Sequence, residues 1–127
     1  MLAVDTSVLV RLLTRDDADQ VGGAEAFISK GAWVSHLVLA ETSWVPDSVY
    51  DLSRVQIATA VAMLLNLREL SIQDAGVVTA ALDHCRRGPA VEFSHCLLRE
   101  IARKAGHLPV ATFERNFAKL DDVQRVR

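Results

Sequence analysis

The sequence contains few of the residues that mark specialised classes of protein. Its 127 residues include 6 Gly, 3 Pro and 2 Cys, which excludes a collagen-like chain and a framework of several disulfides. The longest segment without a charged residue runs from Val55 to Leu67, whereas a membrane-spanning helix needs about 20 residues. Asp5 interrupts the first apolar run, so we expect no secretory signal. These absences predict a cytoplasmic protein that does not bind membranes and keeps its cysteines reduced.

The residues that are present suit one globular domain. Half of them are apolar, which excludes a disordered chain, and this length predicts a single domain over residues 1–127. Residues 1–83 carry 5 basic and 11 acidic side chains, whereas residues 84–127 carry 9 basic and 5 acidic ones. The net charge of −2 excludes a dedicated basic DNA-binding protein but allows a local basic surface. An ordinary solvated surface explains the asymmetry equally well.

Short apolar runs alternate with segments of helical periodicity. Serine or aspartate precedes most of the helical segments, as is typical of N-caps, and Gly106 is typical of a helix end. Pro46 predicts a kink or an early stop in the helix that begins near Leu39. We expect helices between strands at residues 2–4, 32–38, 70–72, 109–113 and 123–126. This alternation predicts an α/β fold, a three-layer α/β/α sandwich with a mainly parallel central sheet.

Acidic residues follow two of the expected strands. Asp5 comes directly after the first strand and Glu114 after the fourth. Ligands of parallel α/β sheets bind at the carboxyl ends of the strands, so both carboxylates are candidates for one site. Taken alone, Asp5 is also a typical helix N-cap, and Glu41 is a helix-start acid favoured by the helix dipole. The apolar residues before Glu41 predict that it is buried near the sheet edge.

Three acidic segments occur in a characteristic order: DTSVLVR at residues 5–11, AETSWV at 40–45 and TFER at 112–115. Together with FSHCLLREIARKAGHLPVATFERNFAKL at residues 93–120, they resemble the PIN domain, and the VapC-type toxins of bacterial toxin–antitoxin pairs in particular. The resemblance covers nearly the whole chain. It implies a Mg²⁺- or Mn²⁺-dependent endoribonuclease with three or four carboxylates at the carboxyl edge of the sheet.

The resemblance also implies roles for individual residues. Asp5, Glu41 and Glu114 match the catalytic carboxylates that bind the metal, although Glu114 replaces the usual aspartate. Its longer side chain displaces the carboxylate by about 1 Å, a shift that can reduce a rate about a hundredfold. His95 lies where the family has a third acid, and Asn116 lies where a further acid often follows.

The replacement at His95 leaves two interpretations open. Mg²⁺ prefers oxygen ligands in near-octahedral geometry, whereas imidazole suits Mn²⁺ better. His95 is therefore either a nitrogen ligand or base in a site that prefers Mn²⁺, or a substitution that weakens or abolishes catalysis while the fold persists.

Several polar neighbours are candidates for supporting roles. Hydrogen bonds to the carboxylates are expected from Thr6, Thr112 and Asn116, although capping or packing explains the threonines equally well. Cations offset the repulsion between carboxylates and phosphates, and the candidates for RNA binding are Arg11, Arg15 and Arg115. Other charged residues are expected to form the exposed face of a helix from about His95 to Ala105: Arg99, Glu100, Arg103 and Lys104.

The sequence thus favours a metal-dependent ribonuclease toxin, a hydrolase of phosphodiester bonds whose activity is weakened by His95. The resemblance implies an RNA substrate, a homodimer and a VapB-like antitoxin partner. The alternative is a catalytically inactive PIN-fold module that binds antitoxin or RNA. A third, weaker interpretation is a DNA-directed or structure-specific nuclease.

Overall fold

The computed structural model describes the chain except for Asp51 and the side chains of residues 45–50. The elements run in the order β1 (Leu2–Ala3), α1 (Thr6–Thr14), α2 (Ala18–Ile28), β2 (Ala32–Val34), α3 (His36–Tyr50), α4 (Arg54–Asn66), β3 (Leu70–Ile72), α5 (Ala75–Arg87), α6 (Phe93–Ala105), β4 (Val110–Thr112), a short 3₁₀ helix (Phe117–Lys119) and β5 (Val123–Arg125). The chain divides into two compact units, Met1–Ala75 and Gly76–Arg127. The assignment of residues 1–127 to a single domain stays a prediction.

The first unit contains a parallel sheet in the order β1-β2-β3. Helices connect the strands, as parallel pairing requires, and α1 packs against both α2 and α3. Fully buried side chains from the strands and helices form the core, among them Leu9, Val34, Leu39 and Leu64. The short apolar runs in the sequence therefore indicate where the three strands lie, although not where each of them ends.

Two expectations for the region after β2 are wrong. The strand ends at Val34 rather than at residue 38, because the Ser35 hydroxyl accepts a hydrogen bond from the Val38 amide, 3.1 Å away, and so starts α3. The helix then continues past Pro46 to Tyr50, so of the two alternatives expected at Pro46 the early stop is wrong, while the kink stays a prediction. A proline removes one backbone donor, and the remaining turns of this helix tolerate that loss.

Local sequence signals identify the next helix correctly. Ser53 begins α4 with a capping box, in which its hydroxyl accepts from the Gln56 amide and the Gln56 side chain accepts from the Ser53 amide. Two of the four unpaired amide groups at the start of the helix are thereby satisfied. The helix start that the sequence predicts is confirmed.

The second unit contains α5, α6 and the parallel pair β4–β5. Val110 pairs with Val123 and Thr112 with Arg125 in this two-stranded sheet. Gly106 ends α6 in the left-handed conformation, with φ of 84°, as its position in the sequence predicts. The expected last strand is confirmed at Val123–Arg125.

The predicted exposed face of α6 is wrong for two of its residues. Arg99 and Glu100 are only 2% and 5% exposed. Glu100 is seven residues after Phe93, which places it on the buried face of the helix. Its carboxylate lies 3.4 Å from Arg99 Nη2 and accepts a hydrogen bond from Arg103 Nε at 3.1 Å. Burial is therefore accompanied by ion pairing, as buried charges require.

In the described residues, no helix is long and apolar enough to cross a bilayer.

Candidate active site

Asp5 lies at the carboxyl end of β1, where α1 begins. It has the extended backbone of an N-cap residue, yet its side chain makes no capping hydrogen bond. The carboxylate is exposed and instead accepts a hydrogen bond from the Ser7 hydroxyl, which donates to Oδ2 at 3.1 Å. Capping therefore does not engage this carboxylate, and Ser7 fixes its orientation.

Thr6, the next residue, is buried, and its hydroxyl oxygen has no hydrogen-bond partner among the described residues. A buried hydroxyl without a partner costs about 1–3 kcal/mol. The expected hydrogen bond from Thr6 to a catalytic carboxylate is therefore wrong, because this hydroxyl is buried without a partner in the described part of the chain, whereas the exposed Asp5 carboxylate accepts from Ser7.

Glu41 lies in the second turn of α3 and is exposed, so the expected burial near the sheet edge is wrong. The reason is the helical periodicity of α3, which turns position 41 towards solvent and the next two positions towards the interior. The neighbouring Thr42 and Ser43 take the buried positions, and their hydroxyls donate to the carbonyls of Val38 and Ala40, both at 2.7 Å.

In the second unit, the structure brings His95 and Glu114 together. His95 Nε2 lies 3.2 Å from Glu114 Oε2. The imidazole also stacks on Phe117, with ring centroids 4.4 Å apart and planes inclined by 7°. Phe117 is buried and therefore provides a fixed surface for the half-buried imidazole. The sequence interpretation missed this stacking, although the aromatic residue three positions after Glu114 is a signal that could have suggested it.

Thr112 and Asn116 hold the backbone around Glu114. The Thr112 hydroxyl accepts a hydrogen bond from the Glu114 amide at 3.0 Å. The Asn116 side-chain amide donates to the carbonyl of Ala90 at 2.5 Å. These bonds order the segment that carries Glu114, while direct bonds from Thr112 and Asn116 to the carboxylate stay predictions.

The candidate RNA-binding arginines are exposed or half-buried. Arg11 pairs with Asp16 at 2.7 Å, and Arg15 pairs with Glu25 at 2.5 Å. Arg115 is exposed. Surface ion pairs contribute about 0–1 kcal/mol, so a phosphate could replace either carboxylate at small cost.

The side chains supply donors of two kinds for a divalent cation. Asp5, Glu41 and Glu114 offer carboxylate oxygens, which suit Mg²⁺ and Mn²⁺, and His95 offers a nitrogen, which favours Mn²⁺. In chemical type, each of these side chains taken singly suits the ion. No cluster of three or more His, Cys, Asp or Glu side chains that could hold a metal occurs within the described parts of the chain.

Cys96 is adjacent to His95 but is not a suitable donor. A hydrogen bond with Cys85, together with burial, raises the pKa of the Cys96 thiol far above its ordinary value. Metals bind the thiolate rather than the thiol. The nitrogen of His95 is therefore the better ligand at this point of α6.

Comparison with known proteins decides the family. The model of the PIN domain matches residues 2–123. The chain belongs to the PIN domain family. Of the solved structures, the Mycobacterium tuberculosis toxin VapC20, described as cleaving the sarcin–ricin loop, is similar over 93% of this chain and 93% of its own, with 20% sequence identity and a TM-score of 0.44. No curated protein sequence matches the chain. The family and the α/β PIN-like fold class expected from the sequence are confirmed.

Proposed function

We propose that this PIN domain protein is a metal-dependent ribonuclease toxin that hydrolyses phosphodiester bonds in RNA. The proposal is supported by membership of the family and by Asp5, whose exposed carboxylate at the end of a parallel strand is not used for capping. This arrangement leaves negative oxygen available where ligands of α/β sheets bind.

In this proposal, Asp5, Glu41, Glu114 and His95 hold Mg²⁺ or Mn²⁺. A bound divalent ion supplies an activated water and stabilises the charge that develops on the phosphate. Ser7 holds the Asp5 carboxylate by its hydrogen bond. His95 Nε2 lies 3.2 Å from the Glu114 carboxylate, and it would give up this contact to bind the ion through its lone pair. Each of these contacts reduces the freedom of a ligand before the ion arrives.

The basic side chains would bind the RNA. Arg11 lies in the last turn of α1 and Arg15 is the C-cap residue of this helix, both downstream of Asp5, and Arg115 follows Glu114. On RNA binding, Arg11 and Arg15 would exchange Asp16 and Glu25 for phosphate oxygens. Much of the free energy of RNA binding would come from the release of counterions from the phosphates. The affinity should therefore fall steeply as the salt concentration increases.

His95 determines how strong the proposed activity is. We propose weak cleavage with Mg²⁺ and a preference for Mn²⁺, because a neutral nitrogen replaces a carboxylate in the donor set. Restoring the acid in His95→Asp should therefore increase cleavage with Mg²⁺. An unchanged rate in His95→Asp, together with loss of cleavage in Asp5→Asn, would exclude His95 from the metal site.

A second candidate function is a binding module without catalysis. It is favoured by the two neutral residues where the resemblance implies acids, His95 and Asn116, the second of which is engaged by the Ala90 carbonyl. In both functions we propose a cytoplasmic homodimer held by a VapB-like antitoxin. Sedimentation of the chain alone and with the product of a neighbouring antitoxin-like reading frame tests these partners.

Metal binding and cleavage should be measured separately on matched variants. We expect the signal of free Mn²⁺ in electron paramagnetic resonance to fall when the wild type is added. Asp5→Asn should abolish this fall of the Mn²⁺ signal, and it should reduce cleavage of a labelled RNA at least about a hundredfold. A chelator added to the wild type should reduce cleavage in the same way. Asp19→Asn is the control, because Asp19 is also exposed but lies on α2.

The results distinguish the two functions. Binding of Mn²⁺ with cleavage supports the nuclease. Binding of RNA or antitoxin without cleavage in either metal supports the non-catalytic module. Full cleavage by Asp5→Asn would refute the proposed site.

A further inference from the structure

A pocket lies between α1 and α2, close to Asp5. Its volume is about 320 Å³, and its wall includes Ser7 and Arg11 from α1 and Gln20, Gly23 and Phe27 from α2. Residues three, four or seven positions apart share one face of a helix. The spacing of these residues therefore places them on the facing sides of two adjacent helices. Ser7 also donates the hydrogen bond to Asp5, which connects the pocket with the candidate active site.

Glycine keeps the α2 wall of the pocket open. A Cβ atom built on Gly23 meets no other atom within 4 Å, and the same is true of Gly22. Glycine inside a helix costs about 1 kcal/mol relative to alanine, and neither position has a positive φ that would call for glycine. Packing and backbone conformation therefore do not explain either glycine, and at Gly23, which lies in the wall, the missing side chain leaves the pocket open.

The chemistry of the wall suits a nucleobase. The Phe27 side chain is 41% exposed, and stacking of a base on an aromatic ring is worth about 1–3 kcal/mol. Gln20 supplies an amide that can both donate to and accept from the edge of a base. Arg11, already in an exchangeable pair with Asp16, supplies a cation for the adjacent phosphate. The apolar part of the wall suits the flat face of the base.

We propose that this pocket accepts one unstacked nucleobase of the RNA strand that is cleaved. Phe27 stacks on the base, Gln20 binds its edge, and Arg11 binds the neighbouring phosphate. The inference rests on the proposed ribonuclease function and adds a specificity-determining subsite to it. RNA is then recognised where a base is unpaired, because a base stacked in a duplex cannot enter.

The test compares two glycine variants on the same helix. Gly23→Leu fills the pocket, and Gly22→Leu adds the same side chain at a neighbouring open position that is not part of its wall. Both should keep the helical content of the wild type, measured by circular dichroism. Binding of a fluorescein-labelled single-stranded RNA of 12 nucleotides is measured by anisotropy in the presence of a chelator.

We expect Gly23→Leu to weaken binding about tenfold or more, as loss of one stacked base requires, and Gly22→Leu to bind like the wild type. Phe27→Leu should weaken binding about fivefold or more, whereas Phe27→Tyr, which keeps an aromatic ring, should bind like the wild type. A fully paired duplex should bind all variants equally. Equal binding of the single strand by both glycine variants would overturn the proposal.

A second measurement separates base recognition from phosphate binding. In amide spectra of the wild type, adenosine or uridine 5′-monophosphate should shift the resonance of Gly23, and ribose 5-phosphate should not. Equal shifts with all three probes would mean a phosphate site and would overturn the nucleobase assignment. If the wild type cleaves RNA and Gly23→Leu binds RNA as tightly as the wild type does, only the pocket assignment is refuted. Wild type that neither binds nor cleaves RNA refutes the proposed function and the pocket with it.

Discussion

Removal of the buried carboxylate of Glu100 is the sharpest test of how the second unit is stabilised. This carboxylate lies within 3.4 Å of Arg99 Nη2, Arg103 Nε and His84 Nε2. In Glu100→Ala, the one hydrogen bond that the described residues would still provide to the buried guanidinium of Arg99 is that of the Asp121 carbonyl, at 3.1 Å. Its Nε atom already has no partner among the described residues. The variant therefore leaves an uncompensated charge in the interior.

Breaking a buried ion pair in this way costs about 3–5 kcal/mol, a large share of the roughly 5–15 kcal/mol that stabilises a typical domain. The free energy of unfolding of a small protein falls by about 2 kcal/mol for each molar of urea, so the urea concentration at the unfolding midpoint should fall by about 2 M. The measurement is urea unfolding followed by circular dichroism. A loss of less than about 1 kcal/mol would refute the assignment of Glu100 as the charge that compensates Arg99.

Two further variants separate the charge from the packing. Asp83→Ala removes one partner of the exposed Asp83–Arg87 pair, and we expect it to change stability by less than about 0.5 kcal/mol. The double variant Arg99→Met/Glu100→Leu replaces the buried pair by apolar side chains. It should be more stable than Glu100→Ala, because no charge is left unpaired in the interior.

Two other predictions concern local features. Ser53→Ala should lower the free energy of unfolding by about 1 kcal/mol, because the Gln56 amide loses its capping acceptor; an unchanged urea midpoint would contradict the importance of the capping box. Cys96 should resist alkylation by iodoacetamide at pH 8, since its raised pKa leaves almost no thiolate, whereas Cys85, which is half-buried, should react first. Mass spectrometry identifies the alkylated residue, and faster labelling of Cys96 would refute this reasoning.

Much of the fold could be predicted because its signals are local. The capping serine of α4 and the glycine that ends α6 act on their own turns of helix, and the short apolar runs identify the parallel strands. The end of β2 could not be located in this way, because Ser35 starts a helix within a run that is apolar on both sides. A serine is compatible with a strand or with a helix N-cap, and over so short an apolar run the periodicity does not distinguish the two.

The charged residues of α6 show where composition misleads. Arg99 and Glu100 resemble residues of a solvated face, yet their positions relative to Phe93 and Cys96 place them on the buried side. Helical spacing contained this information, and the chemical type of the side chains obscured it. At the candidate site, the family pattern indicated Asp5, Glu41 and Glu114, but a one-dimensional pattern cannot show that His95 Nε2 meets the Glu114 carboxylate.

The stack of His95 on Phe117 has a thermodynamic consequence for whatever ligand the imidazole meets. A free histidine side chain samples several rotamers, and a ligand that fixes one of them must offset the lost entropy. Here the buried Phe117 ring and the Glu114 carboxylate confine the imidazole during folding itself. Most of the side-chain entropy is therefore lost when the protein folds rather than when a ligand binds. The free energy of ligand binding is correspondingly more favourable.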